Sequence, residues 1–285
     1  MRPLLKWAGG KARLARQIDF AFVEGCNGTY FEPFVGSAAV YLYRRWHGRI
    51  RDAVLADVNG KLVALHQAVR DCVEDVIGEL STLPMLDWRE RYYEVRAAFN
   101  AGPWTGPAHA ARFVWLNRAG FNGLYRENRQ GGFNVPCGKY ARLSVPEPEH
   151  FRRVSQLFQG VEFVTCGFRD TLSRARTGDQ VYCDPPYVPL SDTSNFTAYA
   201  SVPFAQRQQF ELAKAAEDAA LLGARVVLSN HDLPIVRDEL YPIRNGFRFF
   251  AAPRVTRAIS NKSSSRGSVA EVIASIGPER QRPAA

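Results

Sequence analysis

The chain has 285 residues, 46% of them hydrophobic and 23% charged, a balance that excludes extended disorder and fits one large α/β domain or a core domain with a substantial insertion. Its five cysteines (Cys26, Cys72, Cys137, Cys166, Cys183) are scattered without a C-x-x-C pair and apart from the histidines, which argues against a disulfide framework or a structural zinc site. The formal net charge is +9, and neither a signal-peptide core nor a run of membrane-spanning length is present, so a cytoplasmic protein that needs no membrane and no metal is expected.

The first feature along the chain is L-K-W-A-G-G-K at 5–11, a glycine turn flanked by Trp7 and Lys11. Residues 29–35 (TYFEPFV) read as a buried strand and 37–47 as the helix after it. Residues 52–57 (DAVLAD) read as a second strand, and 59–70 has helical periodicity. Strand, helix, strand, helix in so short a span is a βαβ pattern, which requires a parallel sheet with helices on its faces. The first strand-to-helix turn, E-P-F-V-G-S-A at 32–38, places Gly36 where backbone must approach a ligand closely. Asp57 follows 21 residues later at the end of the second strand, where an acid commonly binds ribose hydroxyls. No full G-x-G-x-x-G is present, so a nucleoside without a pyrophosphate suits this turn better than a dinucleotide.

From about 70 to 145 the pattern changes to helices and loops. Residues 124–128 and 133–135 flank the turn R-Q-G-G and are expected to form a β-hairpin. Strands resume at 161–165, 180–183 and 224–229, with a helix over 204–222 and last strands over 247–253 and 268–275; the residues after 277 are expected to fray. The expected architecture is a catalytic domain of 1–69 and 146–278, an inserted module of 70–145 and a tail of 279–285. Charge is concentrated in two places. Residues 109–142 carry +5 (Arg112, Arg118, Arg126, Arg129, Lys139 and Arg142 against Glu127), and 244–266 carry +6, leaving the rest near neutral. Such segments suggest a surface for a polyanion.

Asp184-Pro185-Pro186-Tyr187 follows directly on the apolar strand ending at Cys183. Two prolines cannot continue a ladder, so the chain leaves the sheet at its carboxyl edge, where open α/β sheets bind ligands. The Asp184 carboxylate and a proline carbonyl are two acceptors for the two hydrogens of an exocyclic amine. Together they pull the nitrogen toward tetrahedral geometry, while Tyr187 offers a flat face for a base. With an already activated methyl donor, such a site works by positioning and electrostatics.

These motifs, with L-N-R at 116–118, F-N-G-L at 121–124, F-N-V-P at 133–136, P-L-S at 189–191 with N-F-T-A-Y at 195–199, and S-N-H-D at 229–232, resemble in order those of Dam-type N6-adenine DNA methyltransferases over residues 4–276, nearly the whole chain. The resemblance implies a doubly wound, Rossmann-like S-adenosylmethionine-dependent methyltransferase sheet with an inserted, mostly helical target-recognition domain. It implies cofactor contacts from Trp7, Lys11, Phe34, Gly36, Asp57, Phe168 and Asp184, and catalysis by Asp184, Pro185, Pro186 and Tyr187 with S-adenosylhomocysteine as product. DNA contacts would come from Lys6, Phe121, Asn122, Leu124, Arg126, Pro136, Lys139 and Ser191, the last in a loop that closes on an adenine extruded from double-stranded DNA. The site implied is GATC. The enzyme would work as a monomer associated with the nucleoid, without an obligate protein partner. Cytosine-N4 and protein-glutamine methylation are the competing readings, but those enzymes more often carry Ser or Asn where this chain has Asp184. One departure stands out: Ala38 occupies a position where the family usually has glycine, which puts cofactor affinity in doubt.

Overall fold

Period-two alternation in the strands decides the layering. In a computed structural model that describes residues 1–22, 25–190, 204–251, 255–256 and 268–278, strands β1 (Thr29–Glu32), β2 (Asp52–Asp57), β3 (Val161–Thr165), β4 (Gln180–Cys183) and β5 (Arg225–His231) are mutually parallel. Strand β9 (Glu271–Ile276) runs antiparallel to β5 and to the outer strand β6 (Arg248–Ala251), and the order is β3-β2-β1-β4-β5-β9-β6. Tyr30, Ala53, Leu55, Tyr182, Val227 and Ile273 enter one core, and their neighbours Phe31, Val54, Val181, Val226, Leu228 and Val272 enter a second. A sheet apolar on both faces must be covered twice.

Helices α1 (Ala15–Ala21), α2 (Ala39–Trp46), α3 (Gly60–Asp71) and α7 (Pro148–Phe158) contribute to the first core, while α8 (Phe168–Leu172) and α9 (Gln206–Leu221) contribute to the second. Between α3 and α7 run α4 (Val73–Ser81), α5 (Tyr92–Asn100) and α6 (Gly106–Ala119). Trp88, Tyr92, Phe99 and Trp115 of this stretch are buried in the same cluster as Leu62 and Phe158, so the inserted helices extend the first core. A two-strand ribbon, β7 (Val255–Thr256) with β8 (Ser268–Val269), lies outside the sheet.

Several boundaries differ from expectation for local reasons. Strand β1 stops at Glu32, before Pro33, which has no N–H to offer. Helix α2 begins at Ala39 after two residues of positive φ, Gly36 and Ala38. The single strand expected over 268–275 is two, because at Ala270 the chain changes partner: its carbonyl accepts the Asp232 amide, and β9 then pairs with β5. The hairpin is looser than expected. Its pairing is confined to the isolated bridges Glu127 with Phe133 and Gly120 with Cys137, tied by bonds from Asn128 N to Gly132 O and Asn134 N to Arg126 O.

Of the basic residues in the two segments, the described ones lie in different places. Arg118 is not a surface charge, since its guanidinium donates to the Leu4 carbonyl. In the register of β6, Arg248 pairs with Ser275 near the end of β9 that lies beside Val226, at the amino edge of the parallel strands. Arg254, Arg257, Lys262 and Arg266 lie outside the described residues, as do Ser191 and the 279–285 tail. Among the described residues no helix is long and apolar enough to cross a membrane, and no group of three or more His, Cys, Asp or Glu side chains is arranged to hold a metal ion.

Candidate active site

The strand order reverses between β1 and β4, and in an open parallel sheet that switch point opens a crevice at the carboxyl ends of the strands. The E-P-F-V-G turn leaves β1 and the D-P-P-Y segment leaves β4, so two motifs some 150 residues apart become neighbours. Glu32, the last residue of β1, is only 2% exposed and accepts the Tyr30 hydroxyl at 2.8 Å; burial pushes its carboxyl up to about 8.

The turn after Glu32 is held through both backbone polar groups of Gly36. The Gly36 N–H donates to Asp57 Oδ2 at 3.2 Å, and its carbonyl lies 2.8 Å from His66 Nε2, which must therefore carry the ring proton. Burial lowers the His66 imidazole to about 4, so it is neutral at physiological pH. Asp57 also accepts the Asn59 amide at 3.0 Å, and burial raises its carboxyl while these amides oppose the rise. Gly36 has φ +47, and a methyl placed on it would lie 2.9 Å from the Trp7 ring. Ala38 is itself left-handed at φ +58, the conformation for which glycine is the unstrained choice. His66 carries no motif that sequence reasoning could have used.

The amino-terminal segment is stitched across this turn. Asn117 Oδ1 accepts the Lys6 amide at 2.8 Å, and its Nδ2 donates to the carbonyls of Lys6 at 2.7 Å and Gly123 at 3.0 Å. Trp7 stacks on Tyr125 with centroids 5.7 Å apart. Lys11 is buried, donates to the Gly9 carbonyl, and stands 3.1 Å from Asp184 Oδ1 and 4.7 Å from the centre of the Tyr187 ring. The ammonium thus covers the face of Tyr187, a placement the sequence did not suggest.

Around the D-P-P-Y segment nearly every polar group has a fixed partner. The Pro186 carbonyl accepts Gln209 Nε2 at 2.6 Å; Asn230, itself linked to Gln209, accepts the Val188 amide at 3.0 Å; His231 Nδ1 lies 2.6 Å from the Val188 carbonyl. The Tyr187 hydroxyl donates to Glu271 Oε2 at 2.9 Å. Both acceptors that the sequence singles out are open or held only by Lys11. Asp184 Oδ1 is buried without a hydrogen bond apart from its ion pair with Lys11, and none of the described residues donates to the Pro185 carbonyl. Burial raises Asp184 to about 6, with Lys11 holding it from going higher.

Phe34 stacks on Phe168 at 5.9 Å and Phe204 meets both edge-on, so two of the predicted cofactor residues share one aromatic cluster. Val58, missed in the sequence, is 60% exposed directly after Asp57, an apolar side chain presented at the same edge. A separate cavity of about 330 Å³ opens at the opposite, amino edge among Thr29, Asp52, Glu162, Arg174 and Asp179, but its arginine is already paired with Glu162 at 2.6 Å.

The predicted DNA residues gather on the hairpin and its base. Phe121 and Asn122 form a tight turn in which Asn122 is left-handed at φ +53. Leu124 is half-buried, while Pro136 and Lys139 are exposed. Lys6 crosses Gly123, where no side chain could fit, and its ammonium lies 4.5 Å from the Tyr140 ring. Arg126 is exposed but folds back, its Nε donating to Asn134 Oδ1 at 2.7 Å. Between the two predicted base readers, Tyr125 is buried and its hydroxyl bonds Glu127, which pairs at 2.8 Å with Lys61 of α3.

Residues 7–252 match the family described as D12 class N6 adenine-specific DNA methyltransferase. The chain is 37% identical to a DNA adenine methylase of Haemophilus influenzae, covering 98% of this chain and 95% of that protein. It is 36% identical to a DNA adenine methylase of Escherichia coli, covering 99% and 98%. A type II methyltransferase, M.MjaIII, of Methanocaldococcus jannaschii is 35% identical over 81% of this chain and 84% of its own.

Proposed function

Since the chain belongs to the D12 class of N6 adenine-specific DNA methyltransferases, we propose that it transfers the methyl of S-adenosylmethionine to N6 of an adenine extruded from double-stranded DNA, within GATC. The observation that carries this reading is a pair of acceptors, Asp184 Oδ1, whose one partner is the Lys11 ammonium, and the Pro185 carbonyl, to which none of the described residues donates, side by side in a segment pinned at Pro186, Tyr187 and Val188. An exocyclic amine has two hydrogens for two such acceptors. Extrusion is a physical requirement, because N6 is otherwise paired and stacked.

The residues suit the cofactor. Phe34 and Phe168 offer apolar faces, Gly36 leaves room for close approach, Asp57 ends β2 where ribose hydroxyls are commonly held, Trp7 lies against the glycine, and Lys11 brings a cation for a carboxylate. S-adenosylmethionine supplies an electrophilic methyl on a sulfonium when bound. Asp184 and Pro185 hold the two N6 hydrogens so that the nitrogen lone pair points at the methyl carbon. With the cofactor bound, the methyl would pass to N6 and S-adenosylhomocysteine would leave, and the proton that N6 then sheds would go to water by way of the Asp184 carboxylate it is bonded to. Pro186 keeps the turn rigid through its bond from Gln209, and Tyr187 supplies the stacking face once Lys11 has left it.

On the DNA side, Phe121 and Asn122 enter the stack beside the extruded base, and Leu124 and Arg126 read base edges, the arginine through guanine O6 and N7 after releasing Asn134. Lys6, Pro136 and Lys139 contact flanking bases or phosphates, and Ser191, with its loop, closes on the adenine. GATC rests on the likeness of residues 121–126 to the hairpin of Dam-type enzymes. Plasmid from expressing cells, digested with nucleases that distinguish GATC from its methylated form, tests the site directly: full cleavage by the nuclease blocked by methylation refutes it. Asp184→Ala is expected to abolish transfer while largely keeping DNA binding; substantial residual activity contradicts its role.

A further inference from the structure

We infer that Glu271 is a positioning residue for methyl transfer: by holding the Tyr187 hydroxyl from β9, it fixes the plane against which the target base stacks. The inference rests on the reading of Tyr187 as that platform. An aromatic ring on a proline-rich segment beyond the end of a strand has two free side-chain torsions, and stacking needs both fixed. The hydroxyl is caught at 2.9 Å by a carboxylate 84 residues away in the chain. That carboxylate is carried by the sheet rather than by a loop. Glu271 pairs with His231 at the end of a ladder of six residue pairs between β5 and β9. The His231 ring meets Tyr187 edge-on, with centroids 4.9 Å apart and planes at 78°, so the ring is held at its tip by Glu271 and at its side by His231. Lys11 now lies over one face of the ring.

Among the described residues, the hydrogen-bond partner of the Glu271 carboxylate is the Tyr187 phenol. An acid so placed also works against ionised Asp184, whose carboxyl it helps to push up. A merely space-filling residue at this position would be better neutral; the hydrogen bond to Tyr187 is what an acceptor there accomplishes.

The test uses the full chain, S-adenosylmethionine and a duplex that the wild type methylates, with a second duplex carrying 2-aminopurine at the target position to report extrusion by fluorescence. Glu271→Ala is expected to lower the single-turnover rate by about 10- to 100-fold, the range set by losing one hydrogen bond to a charged acceptor. KM for the cofactor should stay within about twofold, because the bond holds the base and not the cofactor. Glu271→Gln, which keeps an acceptor oxygen and guards against misfolding of β9, should recover most of the rate. Tyr187→Phe combined with Glu271→Ala should be no slower than Tyr187→Phe alone. Multiplicative losses in the double variant, or a Gln variant as slow as the Ala variant, overturn the inference while leaving the platform reading in place. A wild type that methylates its duplex but gives no 2-aminopurine signal removes the extruded-base platform, and the inference with it.

Discussion

Replacing Glu32 by Gln tests whether burial governs the acids of this site. Glu32 lies at the carboxyl end of β1, almost fully buried, with the Tyr30 hydroxyl at 2.8 Å as its hydrogen-bond partner. Burial raises its carboxyl from the ordinary 4.5 to about 8. Between those pH values the folded chain holds a proton that the unfolded chain has lost. A raised acid of this kind stabilises the fold relative to a normal acid at low pH, and the advantage is lost as pH rises through the window. The slope is about 1.4 kcal/mol per pH unit for one proton, so the loss from pH 4.5 to pH 8 accumulates to roughly 4–5 kcal/mol. Glutamine cannot titrate, and its amide carries one donor group and one acceptor as the protonated acid does. Glu32→Gln should therefore match the wild type within about 1 kcal/mol near pH 5 and exceed it by several kcal/mol at pH 8.5. Urea denaturation followed by tryptophan fluorescence at intervals from pH 5 to pH 8.5 gives both curves. Asp184, raised to about 6, titrates in both proteins, and because its ionised carboxylate helps push Glu32 up, part of the gap between the curves opens as Asp184 loses its proton. Two stability curves that run parallel over the range refute the reasoning.

Gly36→Ala forces a left-handed alanine and sets a methyl 2.9 Å from the Trp7 ring; about 1–2 kcal/mol of backbone strain should lower Tm by a few degrees, and the displaced Trp7 should weaken S-adenosylmethionine binding about tenfold by calorimetry. An unchanged Tm and Kd would show that the close approach is not needed. Because burial raises Asp184 to about 6, log kcat/KM should fall with unit slope below about pH 6 as the carboxylate becomes protonated and loses its acceptor character; a flat profile from pH 5 to 7.5 contradicts this. Asn117→Ala removes three hydrogen bonds to Lys6 and Gly123 and should cost about 2–4 kcal/mol, with faster amide exchange at Lys6; unchanged exchange there would mean the amino-terminal segment is held by packing alone.

The strands β2, β3 and β4 begin and end where the sequence placed them: β2 and β4, buried on both faces, write short apolar runs into the chain, while β3 at the sheet edge alternates. Gly36 and the two prolines after Asp184 were legible for a similar reason: an unusual backbone demands an unusual residue within a few positions. The hairpin was less legible, since its turn is encoded locally but the extent of its pairing is decided by what it packs on. In the second basic segment Arg248 lies at the amino edge of the parallel strands, because charge counted along a sequence ignores the direction in which β6 crosses the sheet.

By itself, then, the sequence determined that a parallel sheet presents a turn with Gly36, an acid at Asp57 and an Asp-Pro-Pro-Tyr segment at the carboxyl ends of its strands. Those features depend on the period of a strand and on the backbone limits of glycine and proline, all short-range. What only the tertiary structure decided is which distant side chains meet there. Lys11 covers Tyr187, His66 holds the Gly36 carbonyl, and Glu271 catches the Tyr187 hydroxyl across 84 residues. The order of strands brings these groups together, and no local pattern in the chain records that order. The raised carboxyls of Glu32 and Asp184 belong to the same class, because burial is a property of the packed sheet and not of the residue.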